Sequence, residues 1–273
     1  MKGQKGNYKM NGIKRVKYGN CPLLEVTYQL NFPTILSIEA EMPAKYQDKI
    51  RKEFPQYRMQ TEREGEIIVD VGGDDANPVF RQRPVRKIHH FISEDGQWRL
   101  SLAKNQLSIS TLQYDNWEDL KKKFSKPLKA FVDVYNQTYF ERIGLEYIDA
   151  FNREKLNLKN VEWKELIEPH LLGCLGLQSN KPFKIKSSKL NTEIVMDDIT
   201  VKIISGLGTV NKKENIINET FILDCEYSKV GKFGLYEIEE IATMLHQTSI
   251  TFFRKAITQK LHMAMEPNDI EEN

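Results

Sequence analysis

The chain has 273 residues, of which 40% are hydrophobic and 29% charged, with a formal net charge of +2. That balance excludes a disordered chain and a membrane chain, and the length is enough to bury a core without covalent staples. Near-neutrality removes the bulk cationic field of a nucleic-acid binder and leaves only local patches.

Residues 1–20 form a basic lead with Lys2, Lys5, Lys9, Lys14, Arg15 and Lys17. No apolar run behind them is long enough for a signal peptide or a membrane span, so the expected location is cytoplasmic and the lead is read as a solvated tail. Cys21, Cys174 and Cys225 are odd in number and widely spaced. They fit neither a disulfide framework nor a C-x-x-C motif, and a reducing compartment follows.

From Leu24, apolar residues alternate through Val26, Tyr28, Leu30 and Phe32, the period-two pattern of a strand with one wet face. Pro43 suits a first helical position, and Tyr46, Ile50 and Phe54 continue a short helix until Pro55. Ile67, Val69 and Val71 read as a strand ended by the turn formers of residues 72–78. Strands follow at 85–93, 97–103 and 106–112, joined by Asp95-Gly96 and Lys104-Asn105 as a meander.

Asp115 or Asn116 caps a helix whose apolar positions run from Trp117 through Leu120, Phe124, Leu128 and Phe131 to Tyr139, with Pro127 expected to kink or split it. Ile143 to Asp149 is strand-like, and the polar stretch 150–162 is the expected seam. Strands at 183–196, 199–205 and 219–228 precede a long helix from Glu237 to Met265, and residues 266–273 form an acidic tail. The reading is an α+β fold with antiparallel meanders packed on two long amphipathic helices. Its halves, 21–150 and 160–265, resemble each other in element order and pack as one domain or two.

Chemistry-bearing residues are scattered. His89 and His90 point to opposite faces of one strand, and His90, sharing a face with Ile88 and Ile92, reads as a hydrogen-bonded core histidine. His246 and His262 fall on opposite sides of the last helix, so no metal site and no cofactor is implied. A G-x-S-x-G elbow is absent, and Gly206-Leu207-Gly208 reads as a hairpin end, lacking the remaining features of a phosphate loop. Asp74-Asp75 and Asp197-Asp198 read as turn aspartates.

The basic clusters are the strongest candidates for a site. Arg81, Arg83, Arg86 and Lys87 crowd one segment, while Lys184 and Lys186 share the outward face of a strand. If they converge, they form a phosphate-tracking groove with Tyr114 or Phe80 for stacking. Lys121, Lys122, Lys123, Lys126 and Lys129 read as ordinary helix surface.

The stretch Phe140-Glu141-Arg142-Ile143-Gly144-Leu145-Glu146-Tyr147-Ile148-Asp149 resembles the signature of a family of uncharacterised prokaryotic proteins known as sporadically distributed proteins. The likeness extends to Asn31-Phe32-Pro33, to Tyr114 through Trp117, to Leu245-His246 and to Phe252-Phe253. The family pattern usually has arginine and asparagine where this chain has Glu146 and Asp149. The resemblance carries no catalytic residue; it implies an accessory gene, as in antiviral defence or toxin–antitoxin systems.

The functional expectation is a non-catalytic interaction or ligand-sensing protein that holds a protein partner, encoded nearby, on a sheet face or between its halves. A homodimer is compatible with this and no membrane is involved. Nucleic-acid binding through the Arg/Lys clusters is the alternative, and an unrecognised hydrolase the second alternative.

Overall fold

The computed structural model describes residues 16–63, 85–177, 185–212 and 215–269. In chain order the elements are β1 (Val16–Tyr18), β2 (Leu23–Asn31), α1 (Leu36–Ala40), α2 (Ala44–Ile50), β3 (Gln56–Arg63), β4 (Val85–Ile92), β5 (Trp98–Ala103), β6 (Gln106–Thr111), α3 (Trp117–Tyr135) and β7 (Tyr139–Phe151). Three 3₁₀ turns occupy Trp163–Glu165, Pro169–Leu171 and Gly173–Leu177. Then come β8 (Lys189–Met196), β9 (Ile199–Lys212), β10 (Asn215–Gly234), α4 (Leu235–Ala256), α5 (Gln259–Ala264) and β11 (Pro267–Asp269). The fold is mixed α+β with a large antiparallel sheet, and the order of three strands then a helix occurs at β4–α3 and again at β8–α4.

The chain divides into two compact units. The first comprises Met1–Val26, Gly144–Val230 and Tyr236–Asn273, and the second Thr27–Ile143 and Gly231–Leu235. Strands β2, β7 and β10 contribute residues to both.

In the second unit the strand order is β3-β4-β5-β6-β2-β7. The alternation read in β2 is real: Tyr28, Leu30 and Phe32 are buried. They meet α3, with Phe32 against Phe131 at 4.7 Å and Tyr28 against Phe124 at 5.0 Å between ring centroids. Asn116 caps that helix by accepting the Asp119 N–H at 2.8 Å. Pro127 does not split it. The helix runs on through the buried proline, which has no N–H to donate to the Lys123 carbonyl. The lysines of α3 are surface residues in part tied down: Lys126 and Lys123 pair with Glu53 at 2.7 and 3.6 Å. The strand expected at Ile67–Val71 lies outside the described residues. Strand β3, unread in the sequence, forms just after Pro55 and pairs antiparallel with β4.

In the first unit the order is β2-β7-β10-β9-β8. One face of this sheet is the core face. Tyr147 meets His246 and Tyr227 meets Phe252 of α4, while Trp163 of the first 3₁₀ turn packs on Phe221. The long last helix is shorter than expected. It stops at Ala256 because Ile257 bridges to Ile167, and Thr258 then caps α5 through the Leu261 N–H. Strand β1 pairs with β11, joining the two ends of the described chain in this unit.

Gly206 and Gly208 are not a hairpin end; they lie inside β9. A Cβ on Gly206 would run into the Ser188 carbonyl, and its φ of 150° is one that side chains rarely adopt, so glycine is required where the strands approach this closely. The hairpin turn of β8 and β9 sits at Asp197-Asp198 instead, with Asp197 at φ 55° and Asp198 paired to Lys229 at 2.6 Å.

Candidate functional site

The basic residues singled out in the sequence are only partly placed. Arg81, Arg83 and Lys184 lie outside the described residues. Arg86 donates to Gln106 Oε1 at 2.6 Å and Lys87 to the Glu39 carbonyl at 2.8 Å, both within the second unit. Lys186 is exposed in the first unit. Tyr114 is half-buried, and Phe80 lies outside the described residues.

Four histidines make side-chain hydrogen bonds. His89, not His90, is the buried member of the pair, at 1% exposure. It sits between the Tyr57 hydroxyl at 3.0 Å and the Ile38 carbonyl at 3.2 Å. Fully buried Phe91 sets the parity of β4 and puts His89 on the inside. His90 is half-buried and bonds Ser101 Oγ at 2.9 Å. In the first unit His246 meets the Tyr147 hydroxyl and His262 the Tyr18 hydroxyl, each at 2.8 Å. Cys21, Cys174 and Cys225 are all free thiols.

What stands out is a set of carboxyl groups on β7 and its neighbours in the first unit. Successive residues of a strand face opposite ways, so Tyr147, Asp149 and Phe151 point to the core face and Glu146 to the other. The pairing of β9 with β10 places Ile204 opposite Asp224 and Lys202 opposite Glu226. That of β8 with β9 places Asn191 opposite Ile204 and Glu193 opposite Lys202. The outward face therefore carries Glu193, Lys202 and Glu226 as one row, with Asp224 and Glu146 beside it. It is open: the side chains of Lys202 and Glu193 are 53% and 59% exposed.

Glu146 is the centre of this face. Partial burial, then the charges of Asp224, Glu226 and Glu25, push its carboxyl up to about 7, and it shares a hydrogen bond with Asp224. Burial also raises Asp224, helped by the charge of Glu226 and opposed by the bond from Glu146 and by Lys189. A proton held between two carboxyls in this way makes the pair a single titrating unit.

On the core face, Asp149 is 6% exposed and burial pushes its carboxyl up to about 8. Tyr18, Cys21, Cys225 and Tyr227 all feel its charge. Burial raises Tyr18 to about 12 and holds the Cys225 thiol well above its usual range, so neither is primed as a nucleophile.

At the start of α4, Lys229, Tyr236, Glu240, Ile241, Met244 and Gln247 line a shallow depression of about 670 Å³, with Tyr236 87% exposed. Its lining holds no cysteine or histidine. Among the described residues no group of three or more His, Cys, Asp or Glu is arranged to hold a metal ion. The outward carboxyls are near enough to feel one another and are not set out as ligands. No helix among the described residues is long and apolar enough to cross a membrane.

Sequence reasoning missed the carboxyl face. Its signal was present as Asp224-x-Glu226, two acids on one side of a strand, but the partner acid Glu146 is far away in sequence and only the sheet order joins them. A scan against protein-family models, a search of curated proteins and a search of solved structures each returned no match.

Proposed function

We propose that this protein is a non-catalytic interaction protein of an accessory system, of the defence or toxin–antitoxin kind, and that the outward face of its first unit holds a cationic partner protein encoded nearby. The observation that carries this reading is the gathering of Glu25, Glu146, Asp224 and Glu226 on one open sheet face, where Glu146 keeps its proton to near neutral pH. Like charges held this close are a standing cost, and a lysine or arginine from a partner relieves it. Lys202, set between Glu193 and Glu226, gives the face a register for an incoming chain.

The test is copurification of the full chain from its native cells, read by mass spectrometry and by the absorbance ratio that reports nucleic acid, with wild type beside Glu146→Gln/Asp224→Asn. Ionisation of Glu146 adds negative charge as pH rises through about 7. The expected result is a cationic protein retained more strongly at pH 8 than at pH 6 and lost from the variant. A partner retained equally by the variant sinks this reading. A bound oligonucleotide that dissociates steeply with salt puts nucleic-acid binding in its place.

One observation favours a hydrolase as the second reading: a carboxyl pair that shares a proton is also the arrangement used for acid–base catalysis. Turnover of any ester, glycoside or peptide that vanishes in Glu146→Gln would decide for it.

A further inference from the structure

Among the described residues β8 is laddered to β9 alone. The Leu207 N–H donates to the Ser188 carbonyl at 3.1 Å, which fixes the parity of the ladder. Leu190, Thr192, Ile194 and Met196 therefore spend their backbone groups on β9, while Lys189, Asn191, Glu193 and Val195 direct theirs to the open edge.

We propose that β8 is the edge through which two copies of this chain associate, pairing antiparallel about a two-fold axis at Thr192. An antiparallel self-pair through this edge must set the outward-bonding residues opposite one another, and the register centred on Thr192 uses the whole strand. It places Asn191 opposite Glu193 and Lys189 opposite Val195, the last 69% exposed in the single chain. Lys189 of one copy then lies diagonal to Glu193 of the other, on both sides of the axis, within reach for long side chains of opposite sign.

On the core face the same register sets Leu190 opposite Ile194 twice and Thr192 opposite itself. In the single chain these residues are only half-buried, although their β9 neighbours Val201 and Ile203 are buried. A second β8 continues that apolar layer where it now stops. Edges kept from pairing carry charged side chains, a proline, a bulge or an inward-pointing charge. Strand β8 has no proline, its register with β9 is unbroken and its core-facing row is uncharged; its two charges, Lys189 and Glu193, are complementary across the axis.

This inference rests on the edge of β8 and not on the titration of Glu146, and its test leaves Glu146 and Asp224 in place although Glu193 and Lys189 border them on the same face. The mass of the full chain is measured by light scattering and sedimentation across the micromolar range. Wild type is expected to shift with concentration from 31.9 kDa toward twice that mass. Asn191→Pro removes an edge N–H that serves no bond to β9 and should give a folded monomer. Lys189→Glu and Glu193→Lys, each alone, set like charges across the axis and should weaken association roughly tenfold. Mixed together, the two variants should pair with each other at wild-type strength. This mixing arm decides the matter even if Asn191→Pro fails to fold. A wild type that stays monomeric throughout overturns the proposal, and so do single charge variants that associate as wild type does. Partner retention by the carboxyl face is read separately, so either idea can fail alone.

Discussion

Replacing Asp149 by asparagine isolates the least expected feature of the core. Its carboxyl is 6% exposed and titrates at about 8, against 3.8 for the free group, because burial penalises the anion. The unfolded chain releases this proton near pH 4 and the folded chain keeps it to about pH 8. Between those limits the folded state binds more protons, so stability falls as pH rises. At about 1.4 kcal/mol per unit, the window costs on the order of 5 kcal/mol by its upper end. The amide in the Asp149→Asn variant has no proton to lose. Urea unfolding followed by circular dichroism at pH 4 to 8 should therefore show that variant gaining on wild type by about 1.4 kcal/mol for each unit of pH. Any offset from the amide itself is the same at every pH and drops out of the slope. Parallel stability curves for the two proteins would refute the assignment of a buried, protonated Asp149.

Other consequences can be checked on the same instrument. The Tyr46 hydroxyl is fully buried and finds no hydrogen bond among the described residues, so Tyr46→Phe should be neutral or stabilise by about 1 kcal/mol. Phe131 sits among Phe32, Tyr46, Tyr135 and Phe140, and Phe131→Ala should cost about 3–5 kcal/mol. Gly206→Ala forces β8 off β9 at Ser188, and a loss of about 1–3 kcal/mol is expected by urea midpoint. Asn116→Ala removes the cap of α3 and should cost about 1 kcal/mol.

The α+β class was legible because period-two and helical spacing are local: Leu24 through Phe32 and Trp117 through Phe131 need no information from elsewhere in the chain. Details set by tertiary contact were not. Nothing local distinguishes His89 from His90; Phe91 and the Ile38 carbonyl decide which is inside. Gly206 looks like a turn residue until Ser188 is seen against it. The end of α4 depends on a bridge from Ile257 to Ile167, ninety positions away in the chain. The carboxyl face was invisible for the same reason: Glu146, Glu25 and Asp224 come from three separate strands, and only the ladder order makes them neighbours.

Strand β7 thus carries two acids with opposite assignments, separated by the alternation of its side chains. Asp149 faces the core and its proton bears on stability; Glu146 faces outward and its proton sets the charge of that face, the one proposed to meet a partner. Burial holds the Asp149 carboxyl protonated up to about 8, and burial with its acidic neighbours raises Glu146 to about 7, so each face gains negative charge by its own group as pH rises. Retention of a cationic partner should strengthen as pH rises through about 7 in wild type and in Asp149→Asn alike, since the core residue has no part in it. In Glu146→Gln the increase should disappear while the stability slope set by Asp149 persists. If retention instead followed the Asp149 substitution, binding would have to be coupled to the core of the first unit, and the outward carboxyls would not be the contact surface.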